Sequence, residues 1–95
     1  MIKSFADRNT QRIFEGCFVR RYSRQLQLVA RRKLWTIELA LCTHDLNIPP
    51  GNRLERLVGA QTDFYSIRIN DQWRIRFCWN DATAETTRVE IVDYH

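Results

Sequence analysis

Ninety-five residues, 44% of them hydrophobic with only 3 Gly and 2 Pro, suffice for one modest core and leave little room for a second domain. No apolar run approaches the roughly 20 residues of a membrane span, and Met1-Ile2-Lys3-Ser4-Phe5 lacks the apolar stretch of a signal peptide, so a cytoplasmic protein without a membrane partner is expected. The net charge of +4 is lopsided: residues 1–36 carry 9 Lys and Arg against 2 acids, residues 37–95 carry 6 against 9, and the basic half suits a polyanion or an acidic protein.

Met1–Ala6 reads as a short opening strand. Asp7 is a good N-cap and Gly16 a good stop for a short helix presenting Ile13 and Phe14. Ser23 caps a longer helix that the spacing carries to about Cys42, with Leu26, Val29, Ala30, Leu34, Ile37 and Leu41 along one stripe. A second line, Leu28, Trp35 and Leu39, runs along the far side among Arg24, Arg31 and Arg32. It either packs against the first helix or docks a partner protein, since apolar anchors rimmed by arginine suit interfaces. Asn47-Ile48-Pro49-Pro50-Gly51-Asn52 must break the helix. Beyond it the apolar period falls to two, predicting strands over Arg53–Val58, Phe64–Ile69, Trp73–Trp79 and Arg88–Tyr94. The sum is an α+β domain, with helices on one face of a small, mostly antiparallel sheet. Cys17, Cys42 and Cys78 are widely spaced and odd in number, which predicts buried, reduced thiols rather than disulfides or a zinc site.

The central hairpin can be registered from its pattern. Tyr65, Ile67 and Ile69 share one face of the first strand, and Trp73, Ile75, Phe77 and Trp79 share one face of the second. Only an odd loop, Asn70-Asp71-Gln72, keeps these faces together, by pairing Ile69 with Trp73, Ile67 with Ile75 and Tyr65 with Phe77. That register sets Arg68 opposite Arg74, with Arg76 two residues on. Facing like charges destabilise a sheet by up to about 1 kcal/mol, so something must offset them. Glu55 and Glu90 are available, and so is a bound phosphate backbone, which arginine forks fit well.

The chain closes on Asp93, Tyr94 and His95. Histidine titrates near neutrality, tyrosine can donate a proton, and a carboxylate can orient an imidazole. RNA cleavage without a metal needs such a base for the ribose 2′-OH, an acid for the leaving 5′-oxygen, and cations for the charge at phosphorus. Arg68, Arg74 and Arg76 are candidates for the last role. No Ser-His-Asp or Cys-His set and no Gly-rich phosphate loop competes with this arrangement.

Met-Ile-Lys-Ser-Phe at 1–5, Pro-Pro-Gly-Asn-Arg-Leu-Glu at 49–55, Tyr-Ser-Ile-Arg-Ile-Asn-Asp-Gln-Trp-Arg-Ile at 65–75 and Val-Asp-Tyr-His at 92–95 together resemble the HigB-like toxins of bacterial type II toxin–antitoxin systems, within the RelE/ParE superfamily. The resemblance runs essentially end to end. It implies a single RelE-like toxin domain over residues 1–95, with two N-terminal helices on a small sheet. It further implies ribosome-dependent, metal-independent mRNA cleavage to a 2′,3′-cyclic phosphate and a 5′-hydroxyl, with no cofactor. The implied partners are the ribosome and mRNA, and a HigA-like helix-turn-helix antitoxin through which alone operator DNA would be reached. Arg74, Asp93, Tyr94 and His95 fall on the catalytic positions, and Arg56, Arg68 and Arg76 are the candidate RNA contacts. Where related chains often carry Leu-Lys-Gly-Asp-Arg, this one has Leu57-Val58-Gly59-Ala60-Gln61, so the lysine is absent; Arg56 and Arg76 are the cations available to replace it. Two alternatives stay open: a ParE-like toxin that binds DNA gyrase without cutting RNA, and a weakened toxin kept as a corepressor.

Overall fold

A computed structural model describes residues 1–58 and 63–93. The first helix, α1 (Arg8–Phe14), begins where the Asp7 carboxylate accepts from the Thr10 amide at 2.9 Å. It ends at Gly16, whose φ of +91° is cheap only without a Cβ. The second, α2 (Arg24–Leu39), starts under the predicted Ser23 cap, with the hydroxyl accepting from the Leu26 amide at 3.1 Å. It stops short of Cys42. Ala40 turns extended, the Asp45 side chain accepts from the Leu41 amide at 3.0 Å, and a separate short helix, α3 (Thr43–Leu46), follows. Leu41 therefore leaves the predicted stripe and is 80% exposed, and the core takes Ala40 and Leu46 instead.

A 3-10 turn at Pro50–Asn52, entered through a cis Ile48–Pro49 bond, leads into the sheet. Its strands β1 (Glu55–Arg56), β2 (Phe64–Arg68), β3 (Trp73–Asn80) and β4 (Glu85–Asp93) form an antiparallel meander in sequence order. The predicted hairpin register holds: Tyr65 pairs with Phe77, Ile67 with Ile75 and Arg68 with Arg74. The Ile69 amide donates to the Trp73 carbonyl at 2.9 Å, closing the three-residue loop.

The opening segment does not form a strand of its own. It lies parallel along β4, forming isolated bridges at Ile2–Thr86 and Phe5–Val89. The reason is a bulge: β4 fits both Arg88 and Val89 between its pairings to Cys78 and Arg76, and Arg88 takes φ 55°. The Arg88 amide then donates to the Ser4 hydroxyl at 3.0 Å instead of continuing a ladder.

The core lies between the helices and one face of the sheet. Leu26, Ala30, Leu34 and Ile37 of α2 and Ile13 of α1 meet Ile67, Ile75, Phe77, Val89 and Ile91. Each fully buried aliphatic or aromatic side chain here is worth roughly 1.5–3 kcal/mol in transfer alone. The predicted α+β arrangement, helices on one face of a small sheet, is thus the observed one.

Candidate functional site

The sheet face turned away from the helices carries the predicted arginines. Strand alternation puts Phe64, Ser66 and Arg68 of β2 on it, beside Arg74, Arg76 and Cys78 of β3. The conflict between Arg68 and Arg74 is resolved by carboxylates from within the chain. Arg68 pairs with Asp71 in the hairpin loop, Arg74 lies 3.4 Å from Glu55, and Arg76 lies 2.7 Å from Glu90. The hairpin arginines are therefore not a row of bare cations waiting for an anion; each meets an acid, two of them the acids that the sequence offered.

Arg74 departs furthest from expectation. An alternating strand predicts it on an open surface, yet it is 5% exposed. Its Nε donates to the Ser66 hydroxyl at 2.8 Å, and one terminal nitrogen donates to the carbonyls of Arg53 at 2.5 Å and Ser66 at 3.1 Å. The loop ahead of β1 folds over it. That loop is held in turn by Asn52, fully buried, whose amide donates to the carbonyls of Leu46 at 3.1 Å and Ile48 at 3.2 Å and whose oxygen accepts from Lys33. Partial burial lowers the Lys33 pKa, and the positive fields of Arg32 and Arg68 lower it further. The motifs at 49–55 and 65–75 are thus two halves of one cluster: Arg53 and Glu55 from the first grip Arg74 beside Ser66 from the second.

Arg76 stays open to solvent, and its guanidinium lies 5.5 Å from the centre of the Phe64 ring. Arg56 does not join this group. It pairs with Tyr65, which belongs to the opposite face, and its guanidinium lies 6.0 Å from that ring. Asp93 is also on the opposite face, since it pairs with Trp73 whereas Arg74 pairs with Val92; the Gln72 side-chain amide donates to it at 3.2 Å. Tyr94 and His95 lie outside the described residues, as do Gly59, Ala60 and Gln61. Val58, at the position of the missing lysine, is 97% exposed.

A cavity of about 430 Å³ opens at the far end of the sheet, lined by Arg56, Tyr65, Asp63, Asp81 and Glu85 among others. Three carboxylates against one guanidinium make it a poor seat for phosphate.

On the helical layer Phe14 stacks on Trp35 with ring centres 4.7 Å apart, which answers the packing reading for that residue. Leu28 and Leu39 remain exposed. Two features of this layer were not read from the sequence. Gln27, buried, folds the connection between the helices around itself, accepting from the Val19 amide and donating to the Val19 and Tyr22 carbonyls, each at 2.8 Å. The thiols of Cys17 and Cys42 are exposed rather than buried, because both residues sit in connections past helix ends; all three cysteines are free.

The chain was compared with known proteins. The sequence model of a family described as RelE-like toxin of type II toxin-antitoxin system HigB matches residues 3–95. Toxin HigB-1 of Vibrio cholerae serotype O1 (strain ATCC 39315 / El Tor Inaba N16961) is 44% identical over 59 residues, and the match spans 62% of this chain and 62% of that relative's length.

Proposed function

The chain belongs to the HigB-like toxin family of type II toxin–antitoxin systems, and we propose that residues 1–95 are one RelE-like toxin domain acting as a ribosome-dependent, metal-independent mRNA endonuclease. A toxin of this kind implies an antitoxin partner, here proposed to be HigA-like with a helix-turn-helix domain that alone reaches operator DNA. No helix of the described residues is long and apolar enough to cross a membrane, and the cytoplasm, where ribosomes and mRNA meet, is the proposed location.

The observation that carries the reading is the outer sheet face, where Arg76 and the Phe64 ring stand side by side next to Arg68. Guanidinium forks for phosphate and an aromatic ring for a splayed base are what single-stranded RNA recognition asks of a surface. In the proposed reaction a base removes the 2′-OH proton and the 2′-oxygen attacks the adjacent phosphorus. The P–O5′ bond breaks, and an acid protonates the departing 5′-oxygen, leaving a 2′,3′-cyclic phosphate. His95 and Tyr94 share these two proton transfers, with Asp93 orienting the imidazole. Arg74 acts from its buried seat, where the low dielectric lengthens the reach of its charge, while Arg68 and Arg76 exchange their carboxylate partners for RNA phosphates.

The test is primer-extension mapping of mRNA in growing cells expressing wild type or His95→Gln. Wild type is expected to produce new 5′ ends within translated regions, and His95→Gln none, with antitoxin binding retained. Equal cleavage by both removes the chain end from the mechanism. Absence of cleavage by wild type, with inhibition of gyrase supercoiling, favours a ParE-like action instead. One observation favours a corepressor reading: the exposed Val58 offers no charge where related toxins place a lysine. Induced expression without growth inhibition is the outcome that would select it.

A further inference from the structure

The charge of this molecule is compensated on one side and not on the other. Four ion pairs occur among the described residues, joining Lys3 to Glu85, Arg68 to Asp71, Arg74 to Glu55 and Arg76 to Glu90. None of them involves a residue of 8–39, although that stretch carries Arg8, Arg12, Arg20, Arg21, Arg24, Arg31, Arg32 and Lys33 against Glu15 and Glu38, with Asp7 just ahead of it, and Glu38 accepts from the Ile2 amide at 2.7 Å. Asp7 is already spent on capping α1.

Within this cationic layer lies a cleft of about 140 Å³ between the end of α1 and the start of α2. Ile13, Phe18 and Leu28 supply its apolar lining, and Arg24 and Arg31 flank it. Phe18 is 62% exposed and Leu28 64%. Two large apolar side chains left open beside a groove are a cost to a lone protein. The groove's shape is held from below: Gln27 fixes the connection that carries Phe18, and Arg31 donates from Nε to the Phe14 carbonyl at 3.3 Å while lying across Gly16. Leu39, eleven positions past Leu28, continues the apolar line for about 16 Å along α2.

We propose that this cleft seats an amphipathic, acidic segment of the antitoxin, with an apolar residue between Phe18 and Leu28 and carboxylates meeting Arg24 and Arg31. This inference rests on the toxin–antitoxin reading. A protein segment fits better than RNA, because the floor is apolar and the guanidinium groups stand at its rim, the layout of a protein interface with charge kept out of its centre. No residue of the sheet lines the cleft, so this contact leaves Arg68 and Arg76 uncovered.

The experiment measures binding of the cognate antitoxin to wild-type toxin, Phe18→Glu and Leu28→Glu, with the antitoxin as probe and calorimetry as readout. Both side chains are exposed, so the variants are expected to fold, as circular dichroism and unchanged melting will show. Each new carboxylate removes an anchor and repels an acidic segment, and Kd is expected to rise about 30-fold or more, the scale of an interface hot spot. Arg76→Ala, on the opposite face, is expected to bind antitoxin as wild type does. Antitoxin affinity within threefold of wild type for both cleft variants overturns the proposal while leaving the toxin–antitoxin reading intact. So does a loss confined to RNA binding, or to self-association of the toxin, which would assign the cleft to RNA or to a second copy. If wild type itself binds no antitoxin, both readings fall together.

Discussion

Arg74 shows how far a single residue can depart from its place in a pattern. It alternates correctly with Trp73 and Ile75, yet the loop over residues 49–55 closes above it and makes it a buried cation with Glu55, Ser66 and the Arg53 carbonyl around it. Removing one partner of a buried ion pair costs 3–5 kcal/mol when the other is left stranded. Here Glu55 is half exposed and can return to water, so the cost falls on the oxygens of Ser66 and Arg53 that lose their donor. Arg74→Ala is therefore expected to destabilise the fold by about 1–3 kcal/mol, read as a lower urea midpoint. Arg74→Lys is expected to recover little of it, since one ammonium cannot reach Ser66 Oγ and the Arg53 carbonyl as Nε and a terminal nitrogen of the guanidinium do together. A consequence follows for mechanism: loss of activity in Arg74→Ala counts as catalytic only after correction for the folded fraction.

The elements were legible where their signals are local. Asp7 and Ser23 cap the helices they were expected to cap, and the period of two recovered the register of the hairpin down to Arg68 facing Arg74. Legibility failed where a segment's fate depends on distant partners. Asp45 ends α2 by capturing the Leu41 amide, and the β4 bulge reduces the opening strand to two isolated bridges. Likewise Gln27, seven residues before Leu34, falls on the buried side of α2 by spacing but is polar, and only the folded connection shows what satisfies its amide. That residue gives a clear element-scale prediction. Gln27→Leu fills similar volume but leaves the Val19 amide and carbonyl and the Tyr22 carbonyl without their side-chain partner. The expected loss is at least about 2 kcal/mol, since each buried polar group left unsatisfied costs about 1–3 kcal/mol. Hydrogen exchange should speed up first at Val19 and its neighbours.

At the scale of the whole molecule the sheet divides the cations into two sets, and this decides which of them can stand in for the missing lysine at Val58. Of the two candidates in sequence, Arg76 shares the outer face with Phe64 and Arg68, while Arg56 lies over Tyr65 on the other face. A single RNA strand lying along the outer face reaches the first and not the second. On translating ribosomes, Arg76→Ala is therefore expected to lower mRNA cleavage at least about 10-fold, in line with the loss of one charge-assisted phosphate contact worth roughly 1.5–3 kcal/mol. Arg56→Ala is expected to lower it less than threefold. Glu90 supplies the converse test, because its carboxylate now holds the Arg76 guanidinium at 2.7 Å and an incoming phosphate must displace it. Glu90→Gln keeps the shape and drops the competing charge, so it should tighten binding of a short single-stranded RNA, most clearly at low salt where the phosphate contribution is greatest. If Arg76→Ala cleaves within a few-fold of wild type and Glu90→Gln leaves RNA affinity unchanged, the outer face does not carry the RNA, and the compensation for Val58 must come from elsewhere in the chain or be absent.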